Sequence, residues 1–178
     1  MTLAAGCSAF DDGSADETRD DGHVRDAEHS DNEGNRDPDL RIGDRYLSSA
    51  FPLELVEPEF DETAEFGGDS RIVYVHWHGT DISHWHQSPL ELTAGETRVG
   101  RTRFLLEGPT ELSIGPNESF SQTVRAVDGT ADGLVTIETD ADHVDLTATD
   151  TGEVELVFEL WAGDDRRWVS PPLPVEIV

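Results

Sequence analysis

Glu153-Val154-Glu155-Leu156-Val157-Phe158-Glu159-Leu160-Trp161 alternates apolar and polar residues almost without a break. Successive side chains of an extended strand point to opposite faces, so Val154, Leu156, Phe158 and Leu160 share one face. Glu153, Glu155, Glu159 and Trp161 take the other, and Val157 alone departs from it. The stretch predicts a strand with one buried face. Upstream, Val135 and Ile137, then Val144 and Leu146, flank Thr139-Asp-Ala-Asp142, which reads as a hairpin turn. Five further short runs are Arg71 to His78, Glu96 to Leu106, Glu111 to Ile114, Phe120 to Val127 and Leu173 to Val178. Gly, Pro, Asn and Asp separate them, and no stretch of useful length carries a 3.6-residue period. The expectation is an all-β sandwich over residues 71–178.

Working outward from that core, residues 46–70 read as an irregular segment. Phe51 to Phe60 within it is a possible edge strand, demoted by Pro52 and Pro58 because proline cannot donate to a ladder. Residues 8–45 hold 13 acids, 5 Arg and seven apolar residues in 38. That composition cannot bury enough surface to offset chain entropy, so a disordered acidic tether is expected.

Leu90-Glu-Leu-Thr-Ala-Gly-Glu96, the segment Val135 to Leu160 and the Thr151-Gly-Glu153 turn together resemble the bacterial immunoglobulin-like (Big-like) domains of surface proteins. The resemblance covers about 90 residues. It implies an immunoglobulin-like sandwich, and because its motifs are turn chemistry it implies no activity.

The charge balance narrows the function classes. The chain has 178 residues with 39 Asp plus Glu against 12 basic residues, every one of them Arg, for a formal net charge of −27. A field of that sign repels phosphate backbones and anionic headgroups, which argues against nucleic-acid partners. Residues 1–69 carry 20 acids and 5 Arg, net −15, and residues 70–178 carry 19 acids and 7 Arg, net −12, so the tether alone does not account for the charge. A carboxylate surface of this density suits molar salt, which screens its self-repulsion. In this the chain resembles haloarchaeal proteins.

Leu3-Ala-Ala-Gly-Cys7 contains the single Cys of the chain and resembles the lipobox of secreted lipoproteins, in which the Cys is lipidated. Residues 1–7 then read as the remnant of a signal peptide whose true start lies upstream, since six residues cannot supply an apolar export core. The resemblance implies a lipid anchor on Cys7, a location on the extracellular face of the cell membrane and a protein partner there. An absence of apolar codons upstream would instead leave a cytoplasmic protein.

Four of the seven His fall in the 11-residue window His76-Trp-His78-Gly-Thr-Asp-Ile-Ser-His84-Trp-His86. Residues i and i+2 of a strand share a face, so each His-Trp-His can clamp one ion through two imidazoles. The five residues between the triplets suffice for a turn that faces the pairs across a hairpin. Imidazole donors favour Zn or Cu over Ca or Mg. His143, in Asp142-His-Val-Asp145, joins as a fifth ligand only if the fold brings its hairpin alongside. Two other readings stand beside this one: Trp77 and Trp85 enter the core while the His line a solvent face, or the Trp rings form an interaction surface. The absence of a metal would leave a structural or adhesive module.

His76-Trp-His-Gly79 also resembles the first copper motif of multicopper oxidases. Those enzymes need a Cys flanked by His in a later cupredoxin domain, and here Cys7 is the single Cys. No Gly-x-Ser-x-Gly, His-Glu-x-x-His or phosphate-cradling loop occurs, and with 39 acids any carboxylate pair is expected by density. A non-enzymatic protein is expected.

Overall fold

The computed structural model describes residues 36–59, 70–108, 110–128 and 133–178. Cys7 and most of the expected tether lie outside the described residues. Among the described residues the regular structure is one 3₁₀ turn, Pro38–Leu40, and thirteen strands. The strands are β1 (Arg41–Ile42), β2 (Arg45–Tyr46), β3 (Leu53–Val56), β4 (Arg71–His76), β5 (His84–His86), β6 (Leu90–Leu92) and β7 (Thr97–Phe104). There follow β8 (Ser121–Ala126), β9 (Val135–Asp140), β10 (His143–Ala148), β11 (Gly152–Ala162), β12 (Asp165–Val169) and β13 (Leu173–Ile177). No helix of the described residues is long and apolar enough to cross a membrane.

The larger sheet has six strands in the order β5-β4-β3-β7-β10-β9. The second is built on β11. Leu156 pairs with Ala126 of β8 and with Leu173 of β13 at once, so those strands flank opposite edges of β11. Glu159 to Trp161 likewise face β8 on one side and β12 on the other, which sets β12 and β13 along the same edge. They amount to one strand interrupted at Ser170-Pro171-Pro172, where proline withholds its ladder donor. β6 closes that side, parallel to β13. The sets β7-β10-β9 and β8-β11-β13 correspond to the B-E-D and C-F-G strands of an immunoglobulin-like sandwich, with β3 in the place of strand A. β4 and β5 extend the first sheet beyond β3.

The alternation of β11 is realised: Val154, Leu156, Phe158 and Leu160 are all buried between the sheets. The β9–β10 hairpin also forms as read, with His143 opposite Asp140 and Ala141 at a φ of 49° in its turn. Glu159 differs. Its carboxylate is buried on the outer face under Arg125, at 3.1 Å, and Arg166, at 3.0 Å. Glu111 to Ile114, read as a run, makes a single bridge to Leu105.

Two expectations about the amino-terminal part are corrected. β3 is an interior strand between β4 and β7, because Pro52 and Pro58 bracket the four-residue strand and neither takes a ladder position inside it. Residues 36–45, read as the end of the tether, belong to the folded body. Leu40 and Ile42, together with Leu47, are buried in the common core. Three apolar residues spread through an acidic stretch look like coil in one dimension, and it is the sandwich that supplies the surface they cover.

Gly100 sits in β7 opposite Val144 of β10. A Cβ built there would lie 2.6 Å from Leu55 Cδ1 and 2.9 Å from its Cγ, and Leu55 is itself buried in the core. Gly100→Ala should therefore destabilise the chain by roughly 1–3 kcal/mol, as overpacking does. Urea unfolding would show it as a lowered midpoint at unchanged slope, and a neutral result would mean that the β3–β7 packing is looser than the geometry requires.

Candidate metal centre

β4 and β5 pair with Tyr74 opposite His86, Val75 opposite Trp85 and His76 opposite His84. Because faces alternate, Val75 and Trp85 enter the core while His76, His84 and His86 stand on the outer face with Tyr74. Trp77 continues the inward parity beyond β4 and packs 5.9 Å from Trp168, and Trp85 packs 5.5 Å from Phe158. Burying the Trp rings and gathering the imidazoles are thus the two faces of one hairpin, so the two readings of the triplets are compatible.

The loop between the strands carries His78 back over the cluster. Gly79 takes a φ of 112°, which a side chain would resist, and its carbonyl accepts from the Ser83 backbone N–H at 3.1 Å and the Ser83 hydroxyl at 2.6 Å. The same hydroxyl accepts the His78 N–H at 2.9 Å. From the other side, Trp77 Nε1 donates to Asp37 Oδ2 at 2.7 Å and Thr80 Oγ1 donates to Asp39 Oδ2. The segment read as tether therefore braces the histidine loop. No local signal in residues 36–45 points to that role, since Asp37 and Asp39 resemble every other acid of the stretch.

The ring of His76 lies 4.2 Å from that of His78, 5.6 Å from His84 and 5.3 Å from His86, centroid to centroid. One nitrogen each from His76, His78 and His84 falls within 4.8 Å of the others. A tetrahedral ion bound at about 2.0 Å holds its donors roughly 3.3 Å apart, so small side-chain rotations close the set. His86 Nε2 is 3.2 Å from His76 Nδ1. His86 also stacks on Tyr74, with centroids 4.8 Å apart and planes at 5°. His78 and His84 are exposed at the sheet edge, and His76 and His86 are half-buried. His143 is elsewhere: β10 lies four strands from β5, about 19 Å at ordinary strand spacing. Its Nδ1 instead meets Asp142 Oδ1 at 2.8 Å, so it is not a fifth ligand.

A chain of ion pairs crosses the same outer face. Arg71 Nε lies 3.1 Å from Glu54 Oε1, and Arg103 bridges Glu54, at 3.2 Å, to Glu111, at 2.8 Å. Arg101 continues from Glu111, at 2.6 Å, to Asp142, at 2.7 Å. The Arg71 guanidinium lies 4.8 Å from the centre of the Tyr74 ring, so the network ends beneath the ring on which His86 rests. The outward strand charges Arg101 and Arg103 are thus framework for the site. Burial works to raise the Asp142 carboxyl, but hydrogen bonds from Arg101 and His143 outweigh it and hold the group below the ordinary Asp value.

Crowding by its neighbours strips water from the His76 imidazole, and His78, His86 and His84 add repulsion, so its pKa lies below the ordinary 6.5. The unfolded chain then takes up a proton at this residue before the folded chain does. Stability should fall as pH drops from about 6.5 through the lowered His76 value. A His76→Gln variant should lose that part of the pH dependence in urea titrations between pH 7 and 5, and an unchanged slope would contradict the assignment.

No family model and no curated protein matches the chain.

Proposed function

We propose that this protein binds a transition-metal ion, Zn or Cu, through the imidazoles on the β4–β5 hairpin. One observation carries the reading: nitrogens of His76, His78 and His84, contributed by two strands and a loop, approach within 4.8 Å of one another. Three neutral imidazoles are a borderline donor set, suited to Zn or Cu and ill suited to Ca or Mg. The lowered His76 pKa supports it further, because an imidazole must be deprotonated to ligate. The role proposed is to hold or hand over the ion at the cell surface, with Leu3 to Cys7 providing a lipid anchor and the carboxylate shell suiting a saline exterior. No catalytic step is assigned to it.

The test is the metal content of the full chain at pH 7.5 in high salt after exposure to Zn²⁺ or Cu²⁺ and gel filtration, beside a triple variant His76→Ala, His78→Ala, His84→Ala. One ion per chain, lost in the variant, supports the proposal. Equal and negligible binding by both would leave a structural or adhesive module in which the hairpin only covers the core.

A further inference from the structure

The four imidazoles are not equivalent. His76, His78 and His84 form the set whose nitrogens converge within 4.8 Å, and His86 falls outside it. No Asp or Glu among the described residues joins the set either. What His86 does instead is specific: its Nε2 sits 3.2 Å from His76 Nδ1, at hydrogen-bond distance, while its ring lies flat on Tyr74 at 4.8 Å. The Tyr74 ring is held in turn by the Arg71 guanidinium, at 4.8 Å, and by the edge of Phe51, at 5.5 Å.

An imidazole has two nitrogens that point in divergent directions, and a neutral ring carries one N–H and one lone pair. If His76 Nδ1–H donates to His86 Nε2, the lone pair of His76 is left on Nε2, free for an ion. In His84 the Nδ1 lies 3.5 Å from the Ile82 carbonyl oxygen, so the tautomer that carries its proton there leaves the Nε2 lone pair for an ion. Metal-ligating histidines characteristically donate their other N–H to an outer group that fixes tautomer and ring angle.

We propose that His76, His78 and His84 ligate the ion, that His86 is a positioning residue acting through His76, and that the fourth coordination position is open to an exogenous monodentate ligand, water or a small anion. This rests on the metal-binding reading and adds the occupancy of each position. Three protein nitrogens and an outside ligand are the arrangement of exchangeable and reactive sites, whereas closed four-ligand sites are structural. The location agrees: β5 is the outermost strand of its sheet and His78 and His84 are exposed, so the side away from the hairpin faces solvent.

Cobalt(II) is the probe, bound to the full chain in potassium sulfate so that chloride does not compete, with azide as the outside ligand. The wild-type chain should bind one Co²⁺, and its visible d–d bands should shift saturably on addition of azide. His86→Phe keeps the flat ring on Tyr74 but removes the acceptor. It should still bind one Co²⁺ with the same azide response, at an affinity lower by about 10- to 100-fold. A wild-type complex blind to azide, with a response appearing in His86→Phe, would make His86 the fourth ligand and overturn the inference while leaving the metal site intact. Absence of Co²⁺ binding to the wild-type chain would remove the metal site and the inference together.

Discussion

Zinc added to the full-length chain at one hundred times its dissociation constant will raise the midpoint of thermal unfolding by roughly 5–11 °C, and the triple variant His76→Ala, His78→Ala, His84→Ala will show no rise. The size follows from mass action: an ion that binds the folded state alone stabilises it by RT ln(1 + [L]/Kd), about 2.7 kcal/mol at that concentration. A domain of 150 to 250 residues gains about 2–4 °C for each kcal/mol. The unfolded chain cannot match the site, because His76 and His84 meet as opposed residues of two strands and His78 arrives through the Gly79 turn. Calorimetry with and without Zn²⁺ at pH 7.5 decides it, and the same scans at pH 5 should show the rise shrink as protons compete for the imidazoles. The variant itself should fold, since His78 and His84 are exposed and His76 is on the outer face. Equal midpoints with and without zinc in the wild-type chain would mean that the cluster is only the polar side of a hairpin that packs its Trp residues.

Glu54→Ala will be the most damaging single substitution of the outer face, with a loss of about 3–5 kcal/mol. Glu54 is 1 % exposed in an interior strand, yet it lies on the face away from the sandwich core and is covered by the guanidinium groups of Arg71 and Arg103. Burial outweighs those two cations and holds the carboxyl above its ordinary pKa. Removing it opens a cavity and takes a buried carboxylate from two largely shielded guanidinium groups, of which Arg103 keeps Glu111, so the expected cost exceeds that of losing an exposed pair. Glu54→Gln keeps the shape and gives up a charge that the folded state holds at a cost, so its loss should be smaller than that of alanine. The raised pKa has a matching sign: this carboxyl favours the folded state more as pH falls toward 4.5, against the trend set by His76. Urea unfolding of both variants at pH 7 provides the comparison. A loss under 1 kcal/mol for alanine would show that water and Glu111 satisfy the arginines without Glu54. Because Arg71 lies over the Tyr74 ring on which His86 stacks, Glu54→Ala should also weaken zinc binding without touching a ligand.

The alternation of Val154 to Leu160 and the hairpin signal at Thr139 to Asp142 were enough to read the sandwich, because a period of two and a turn are local properties of the chain. The His-Trp-His triplets likewise announce a face of imidazoles opposite a face of indoles. Other features had no local signature. Leu40, Ile42 and Leu47 are buried by strands that lie far along the chain, so an acidic stretch poor in apolar residues was indistinguishable from coil. Leu53 to Val56 became an interior strand because β4 and β7 pair on either side of it, although the flanking prolines marked it as an edge. Sequence alone thus determined the all-β fold class and the clustering of imidazoles on one face of the His-Trp-His triplets, since both depend on the spacing of side chains along one strand. Tertiary structure decided which imidazoles meet, that His143 lies four strands away, and that Asp37 and Asp39 brace the loop. Those are distances between segments remote in the chain, set by the register of β4 on β5 and the order of strands in the sheet, and no spacing along one strand encodes them.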